Sequence, residues 1–107
     1  MTTMNEYQEL ARETALYPEK LGLYYTALGL TGEAGEVAEK VKKMIRDNKT
    51  REDCQIDIMN ELGDVMWYLA NVAYEFGLSL EEVAENNVLK LKSRSERGVI
   101  HGSGDNR

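Results

Sequence analysis

Apolar residues recur every three or four positions through most of the chain. The spacing is sustained over several turns between residues 30 and 45, and again between residues 58 and 76. It places the apolar side chains along one side of an α-helix. Pro18 is the only proline among 107 residues, and so few helix breakers over this length favour an all-α domain.

Turn and capping residues divide the chain into four predicted helices. Asn5 is the candidate N-cap of the first, and Ser79 with Glu82 forms a capping box at the start of the fourth. Gly77 is a suitable stop for the third. The second carries a weak or kinked stretch at Gly29–Gly32, because glycine lowers helix propensity. The predicted helices are residues 4–16, 19–46, 50–76 and 79–94.

The end of the chain differs in composition from the rest. Residues 98–107, GVIHGSGDNR, are rich in glycine and polar groups, and such ends are commonly mobile. We therefore expect one domain at 1–97 and a polar, Gly-rich C-terminal tail at 98–107. A single chain of this size buries less of its surface than a larger one does, and its apolar stripes are wider than one small bundle can bury. This predicts self-association as a dimer or a tetramer.

Composition excludes several classes of protein. The net charge is −6, which argues against a nucleic-acid partner, because such binders carry a basic face. Cys54 is the only cysteine, so no intrachain disulfide can form and the thiol is expected to be reduced in the cytoplasm. No stretch approaches the length of a membrane span, and the acidic N-terminus is unlike a signal peptide.

A short acidic pattern occurs twice. Glu33-Ala34-Gly35-Glu36-Val37 returns 28 positions later as Glu61-Leu62-Gly63-Asp64-Val65. In each copy the two acids are three residues apart and share one side of a helix. If the two helices are antiparallel, these flanks face each other. Gly35 and Gly63 would then remove side chains between the carboxylates and let the backbones come close.

Four converging carboxylates predict a metal site. They repel one another unless a cation relieves the repulsion, and an all-oxygen ligand set suits Mg²⁺, or Mn²⁺ in its place. One such motif alone usually marks a solvated helix face; the pairing favours a site. A di-iron centre needs a Glu-x-x-His motif, and the only histidine, His101, is in the tail.

These residues resemble the MazG-type, all-α nucleoside triphosphate pyrophosphohydrolases. Glu33-x-x-Glu36, 24 further residues and Glu61-x-x-Asp64 are similar to the signature of that family. Asn87-x-x-Lys90-Leu91-x-x-Arg94 resembles a second element of it. The resemblance is close from Leu28 to Arg94, and one module is present, as in the compact form that phages and bacteria encode.

The resemblance implies a four-helix MazG-like module that assembles into a homo-oligomeric helical bundle. It implies Mg²⁺-dependent hydrolysis of (deoxy)nucleoside triphosphates to the monophosphate and pyrophosphate, through attack of water on the α-phosphorus. Either Glu33 or Glu36 would take the proton of that water. The implied metal ligands are Glu33, Glu36, Glu61 and Asp64.

Substrate contacts are expected from several further side chains. By resemblance, the polar residues of the fourth helix contact phosphates or order the metal ligands. Tyr68 can donate its hydroxyl to a phosphate, or be a half-buried aromatic residue. Lys40 can reach the phosphates or pair with an acid, and Trp67 can pack on the base or in a subunit interface. The candidate substrate-binding residues are Tyr68, Asn87, Lys90, Arg94, Lys40 and Trp67.

Two alternatives stay open on the sequence. One is a member of the same superfamily with a narrower substrate, of the dUTP/dCTP or phosphoribosyl-ATP type. The other is a non-enzymatic helical interaction module, whose acidic cluster binds metal structurally or not at all. The biological role, pool control or removal of noncanonical nucleotides, does not follow from the residues.

Overall fold

The computed structural model describes residues 2–107, which form four α-helices and no strand. A short 3-10 helix at Glu19–Leu21 precedes the second α-helix. The all-α prediction is confirmed. Met1, which the predicted domain includes, lies outside the described residues. The α-helices are α1 (Met4–Glu13), α2 (Gly22–Arg46), α3 (Arg51–Glu75) and α4 (Leu80–Glu96).

The longest elements, α2 and α3, form a hairpin. Each has 25 residues and is therefore about 37 Å long. The chain reverses at Asn48, which has a positive φ of 51°. Thr50 then caps α3: its side chain accepts the Asp53 N–H at 3.2 Å, and the Asp53 carboxylate accepts the Thr50 N–H at 3.0 Å. The short turn makes the two helices antiparallel neighbours, which is the arrangement that brings the acidic flanks face to face.

The ends of the helices confirm some predicted caps and correct others. Ser79 and Glu82 make the predicted capping box of α4, and Gly77 has the positive φ of 69° of a helix stop. Asn5 does not cap α1, because Thr3 accepts the N–H of the first turn. The Asn5 side chain instead accepts the Glu81 N–H at 3.1 Å, which ties α1 to the start of α4.

Two predicted features of the helices are wrong. The first helix ends at Glu13 rather than Leu16, and the Leu16 side chain is exposed. The second shows no break at Gly29–Gly32, since α2 is continuous there. Packing of α2 against α3 outweighs the low propensity of the glycines.

The buried core is small and lies where α1, α3 and α4 meet. It consists of Ala11, Ala70, Ala73 and Leu80. Gln8 fixes the three elements together: its amide donates to the carbonyls of Ala70 and Leu78 at 3.1 and 3.0 Å, and its oxygen accepts the Leu80 N–H at 3.1 Å. A buried amide with every bond satisfied specifies one arrangement of these helices.

The apolar side of the hairpin is uncovered within the chain. The accessible surface is 8149 Å², whereas a compact monomer of this mass exposes about 6,000 Å². The radius of gyration is 16.6 Å, against about 13 Å for a compact chain of this length. An apolar groove of about 560 Å³ between α2 and α3 carries part of the excess; its apolar lining residues are Val37, Val41, Met44, Ile58, Met59 and Leu62.

No helix described in residues 2–107 has an apolar stretch long enough to cross a membrane.

Close packing against a side chain of α3 occurs at a different glycine from those predicted. A Cβ added at Gly35 or Gly63 meets nothing within 4 Å, so the prediction that they clear space is wrong within the chain. A Cβ at Gly29 would collide with the Tyr68 ring. Gly29 is therefore the glycine that lets α2 approach the aromatic side of α3.

We expect Gly29→Ala to lower the free energy of unfolding by about 1–3 kcal/mol, because the methyl group displaces the Tyr68 ring. Gly35→Ala is the matched control and should raise it by about 0.5–1 kcal/mol, the usual gain at an open helix position. Urea denaturation at one protein concentration measures both. Equal stability of the two variants would contradict the packing at Gly29.

Candidate functional site

Three carboxylates from the two long helices meet in one place. Glu33 is on α2, and Glu61 and Asp64 are one turn apart on α3. One oxygen from each lies within 4.8 Å of the others. The antiparallel hairpin produces this convergence, because it turns the acidic flank of each helix toward the other. The three side chains form the acidic cluster.

Glu36, the fourth predicted ligand, lies outside the acidic cluster as the structure has it. Its side chain is exposed on α2, three residues beyond Glu33. It is still near enough for its charge to raise the pKa of Glu33. Its roles as ligand and base stay predictions.

The environment of Glu33 disfavours its negative charge. Partial burial is the largest cause and raises the pKa of this carboxyl above its ordinary value of 4.5. The charges of Asp64 and Glu61 raise the pKa further, with Glu36 as a smaller contribution. Without a cation, Glu33 therefore holds its proton to a higher pH than a free glutamate, and a bound cation would reverse that preference.

An open cavity of about 380 Å³ adjoins the acidic cluster. Glu33 and Asp64 form its acidic side, and Thr14, Trp67 and Tyr68 form the remainder. The volume lies within the range of small-ligand sites in proteins. The cavity thus joins charge that can hold a cation to an aromatic wall.

The aromatic wall is part of a larger cluster. The Trp67 and Tyr68 rings make an edge contact with centroids 4.9 Å apart, and Tyr25 lies 6.2 Å from Tyr68. Tyr17 stacks on Tyr25 at 5.0 Å and meets the edge of Trp67 at 6.3 Å. Partial burial first, and then the Tyr25 hydroxyl and the nearby carboxylates, raise the pKa of Tyr68, so its hydroxyl keeps its proton as a donor.

The predicted cations of α4 do not line this cavity in their own chain. Arg94 is buried, with 5% of its surface exposed, and donates to the Asp105 carbonyl at 2.7 Å. The Asp105 carboxylate is 3.6 Å from Arg94 and 3.8 Å from Lys90. Asn87 is exposed on the same helix. The tail therefore folds back on α4, where Asp105 pairs with the side chains of Lys90 and Arg94. Contact of these two cations with substrate stays a prediction.

The structure also places Lys40 and a residue that the sequence analysis missed. Lys40 is half-buried on α2, seven residues after Glu33 and so two turns along one side of the helix. Thr14, just after α1, lines the cavity and accepts the Trp67 indole N–H at 2.8 Å. No motif in the sequence marks a threonine that lies 53 positions from its partner.

Comparison with known proteins identifies the family of the chain. The family model described as "MazG nucleotide pyrophosphohydrolase domain" matches residues 24–99. The chain belongs to this family. The MazG match includes all four predicted metal ligands and α4, and it leaves α1 and Thr14 outside.

A relative of this MazG chain is found in Mycobacterium phage L5. Its "Gene 37 protein" is 49% identical over 110 residues, which cover 94% of this chain and 96% of the relative. The name states no activity. No solved structure matches the chain.

We expect Glu33→Gln to raise the melting temperature of the metal-free protein near neutral pH. The pKa of Glu33 is higher in the folded chain than in the unfolded chain. The stability that Glu33 contributes is therefore present below pH 4.5 and is lost as the pH rises through the pKa of the folded state. The melting temperatures of wild type and variant should therefore converge below pH 4.5. Calorimetry in EDTA across this range measures the difference.

Mg²⁺ should invert the order of the two proteins. A ligand that binds only the folded chain stabilises it, by about 2.7 kcal/mol at a hundred times its Kd. Wild type should gain this stability, and Glu33→Gln should gain little. Glu85→Gln removes an exposed charge from α4 and is the control. An equal response of all three proteins to Mg²⁺ would contradict a site at Glu33.

Proposed function

We propose that this chain hydrolyses (deoxy)nucleoside triphosphates to the monophosphate and pyrophosphate, with Mg²⁺ as its cofactor and Mn²⁺ as a substitute. The observation that carries the proposal is the convergence of Glu33, Glu61 and Asp64 beside an aromatic-walled cavity. The family of the chain supports an acid-anhydride hydrolase. The acidic cluster supports a divalent cation as the cofactor, and the aromatic wall supports a nucleoside as part of the substrate.

The residues of the acidic cluster fit a small, hard cation. All donors are carboxylate oxygens, which Mg²⁺ prefers. One oxygen from each of the three side chains lies within 4.8 Å of the others, so these residues could hold one cation between them. Small rotations of these half-buried and exposed side chains suffice to close the site, and we propose Glu36 as the next ligand along α2.

Charge explains why the cation is required. A triphosphate carries several negative charges and would be repelled by three carboxylates at these distances. When bound, Mg²⁺ offsets that repulsion and lowers the pKa of a coordinated water. The reaction then needs a base, and Glu33 or Glu36 accepts the proton of the attacking water. The water oxygen bonds to the α-phosphorus while the bond to the bridging oxygen breaks, and pyrophosphate leaves.

The remaining predicted residues divide between the two ends of the substrate. Trp67 and Tyr68 line the cavity and would receive the nucleoside and the adjoining phosphate oxygen. Lys40 would reach the phosphates from α2. Asn87, Lys90 and Arg94 do not line the cavity of their own chain, and we propose that they contact the triphosphate from an α4 presented by a neighbouring copy.

The activity is tested by incubating the protein with each NTP and dNTP, with Mg²⁺ or EDTA, and separating the products. We expect monophosphate and pyrophosphate with Mg²⁺ only. Glu61→Gln should lower turnover by orders of magnitude with the fold kept, because it removes a ligand of the metal ion on which the proposed reaction depends. Glu85→Gln should leave it unchanged.

The product pattern separates the alternatives. Turnover confined to one or two nucleotides would indicate a narrow-substrate member of the superfamily. Diphosphate and inorganic phosphate as products would contradict attack on the α-phosphorus. A folded protein that turns over no nucleotide would contradict the proposed function and favour the interaction module.

We propose that a second copy of the chain covers the exposed apolar side of α2 and α3, to give a dimer or a tetramer built from dimers. The excess surface is about 2,000 Å² relative to a compact monomer. A standard interface buries about 800 Å² of each partner, so the excess exceeds what a stable dimer needs. Such an assembly would act in the cytoplasm on the nucleotide pool.

Met59→Lys should shift the protein toward the monomer, because it places a charge in the apolar groove at a side chain that is 59% exposed in the single chain. Leu16→Lys is the control, since Leu16 is 90% exposed and outside that groove. Size-exclusion chromatography with light scattering measures the mass. A wild-type protein that is monomeric at assay concentration would contradict the assembly.

A further inference from the structure

Thr14 holds the tryptophan of the cavity in place. The Trp67 indole N–H donates to the Thr14 hydroxyl oxygen at 2.8 Å. The same hydroxyl donates to the Ala11 carbonyl at 3.2 Å, within the last turn of α1. The hydroxyl hydrogen therefore points into α1, which leaves an oxygen lone pair for the indole.

The position of this contact links it to the chemistry of the site. Trp67 follows Asp64 by three residues, so both project from one side of α3, and both line the cavity. The neighbouring rings touch Trp67 only by edge contacts, with interplanar angles of 80° to Tyr68 and 88° to Tyr17. Trp67 also packs against the buried core, and the hydrogen bond to Thr14 is the contact whose strength depends on the direction of the indole N–H.

We propose that Thr14 is a positioning residue, whose hydroxyl holds the Trp67 indole as the wall against which the nucleoside of the substrate packs. This rests on the proposed function. Thr14 lies outside the residues that the family model matches, so the constraint comes from a part of the chain that the family match does not describe.

A consequence for specificity follows from the same hydrogen bond. The indole has a single N–H, and Thr14 uses it. Trp67 can therefore offer a base only its apolar ring. Packing on a ring depends little on which hydrogen-bonding groups the base carries. This wall therefore adds affinity for every nucleoside without selecting one base. Discrimination among bases belongs to other groups.

Thr14→Val should raise KM by about 2- to 10-fold, the range of one neutral hydrogen bond. The loosened ring must be ordered when the nucleotide binds, and ordering costs affinity. The turnover number should change little, because the acidic cluster is untouched. Thr14→Ser keeps the hydroxyl and should restore the KM of the wild type. Thr14→Ala replaces the valine variant if that variant is unfolded at the assay temperature.

A double-mutant cycle tests whether Thr14 acts through the indole N–H. Phenylalanine has no N–H, so Thr14→Val in a Trp67→Phe background should leave KM at the value of Trp67→Phe alone. The same fold-change in both backgrounds would overturn the inference, because Thr14 would then act independently of Trp67. A KM of Thr14→Val equal to that of wild type would also overturn it.

Fluorescence gives a readout that does not depend on turnover. Trp67 is the only tryptophan, so the emission reports this ring. Binding of an α,β-methylene nucleoside triphosphate with Mg²⁺ should quench wild type and Thr14→Ser strongly, and Thr14→Val only at higher nucleotide concentration. If wild type binds this analogue without hydrolysing any nucleotide, the proposed function fails while the positioning role stands. Absence of quenching in wild type would overturn the positioning role itself.

Discussion

Repulsion among the carboxylates of Glu33, Glu61 and Asp64 is the constraint on which the rest of the structure depends. The hairpin of α2 and α3 brings these groups together. Partial burial first, and then the charges of Asp64 and Glu61, raise the pKa of Glu33. The helices must be held by other contacts strong enough to keep the charges close. A bound cation would relieve this repulsion, so the arrangement that destabilises the metal-free protein is also the one that fits the metal site we propose.

The helical pattern and the acidic pairs are visible in the sequence because both are local. Spacing of three to four residues defines the helix faces and puts Glu61 and Asp64 on one flank. Ser79 and Glu82 form their capping box within four residues. The prediction that Asn5 caps α1 is wrong, because the group that its side chain accepts from, the Glu81 N–H, lies 76 positions away.

Long-range contacts account for what the sequence could not supply. The hydrogen bond between Thr14 and Trp67 joins residues 53 positions apart, so no pattern within one helix predicts it. The sequence alone does not distinguish Gly29 from Gly35. The packing of α2 shows that Gly29 is the one that faces Tyr68. Likewise, the motif on α4 identifies Lys90 and Arg94 as candidate cations. It does not show that both side chains pair with Asp105 of the tail.

The central claim is that the acidic cluster holds the metal that serves the nucleotide. The most direct measurement is anomalous diffraction from crystals grown with Mn²⁺ and an α,β-methylene nucleoside triphosphate. We predict an anomalous peak in contact with carboxylate oxygens of Glu33, Glu61 and Asp64, with the nucleoside against Trp67. A bound nucleotide with its metal elsewhere, and none at these three side chains, would contradict the account.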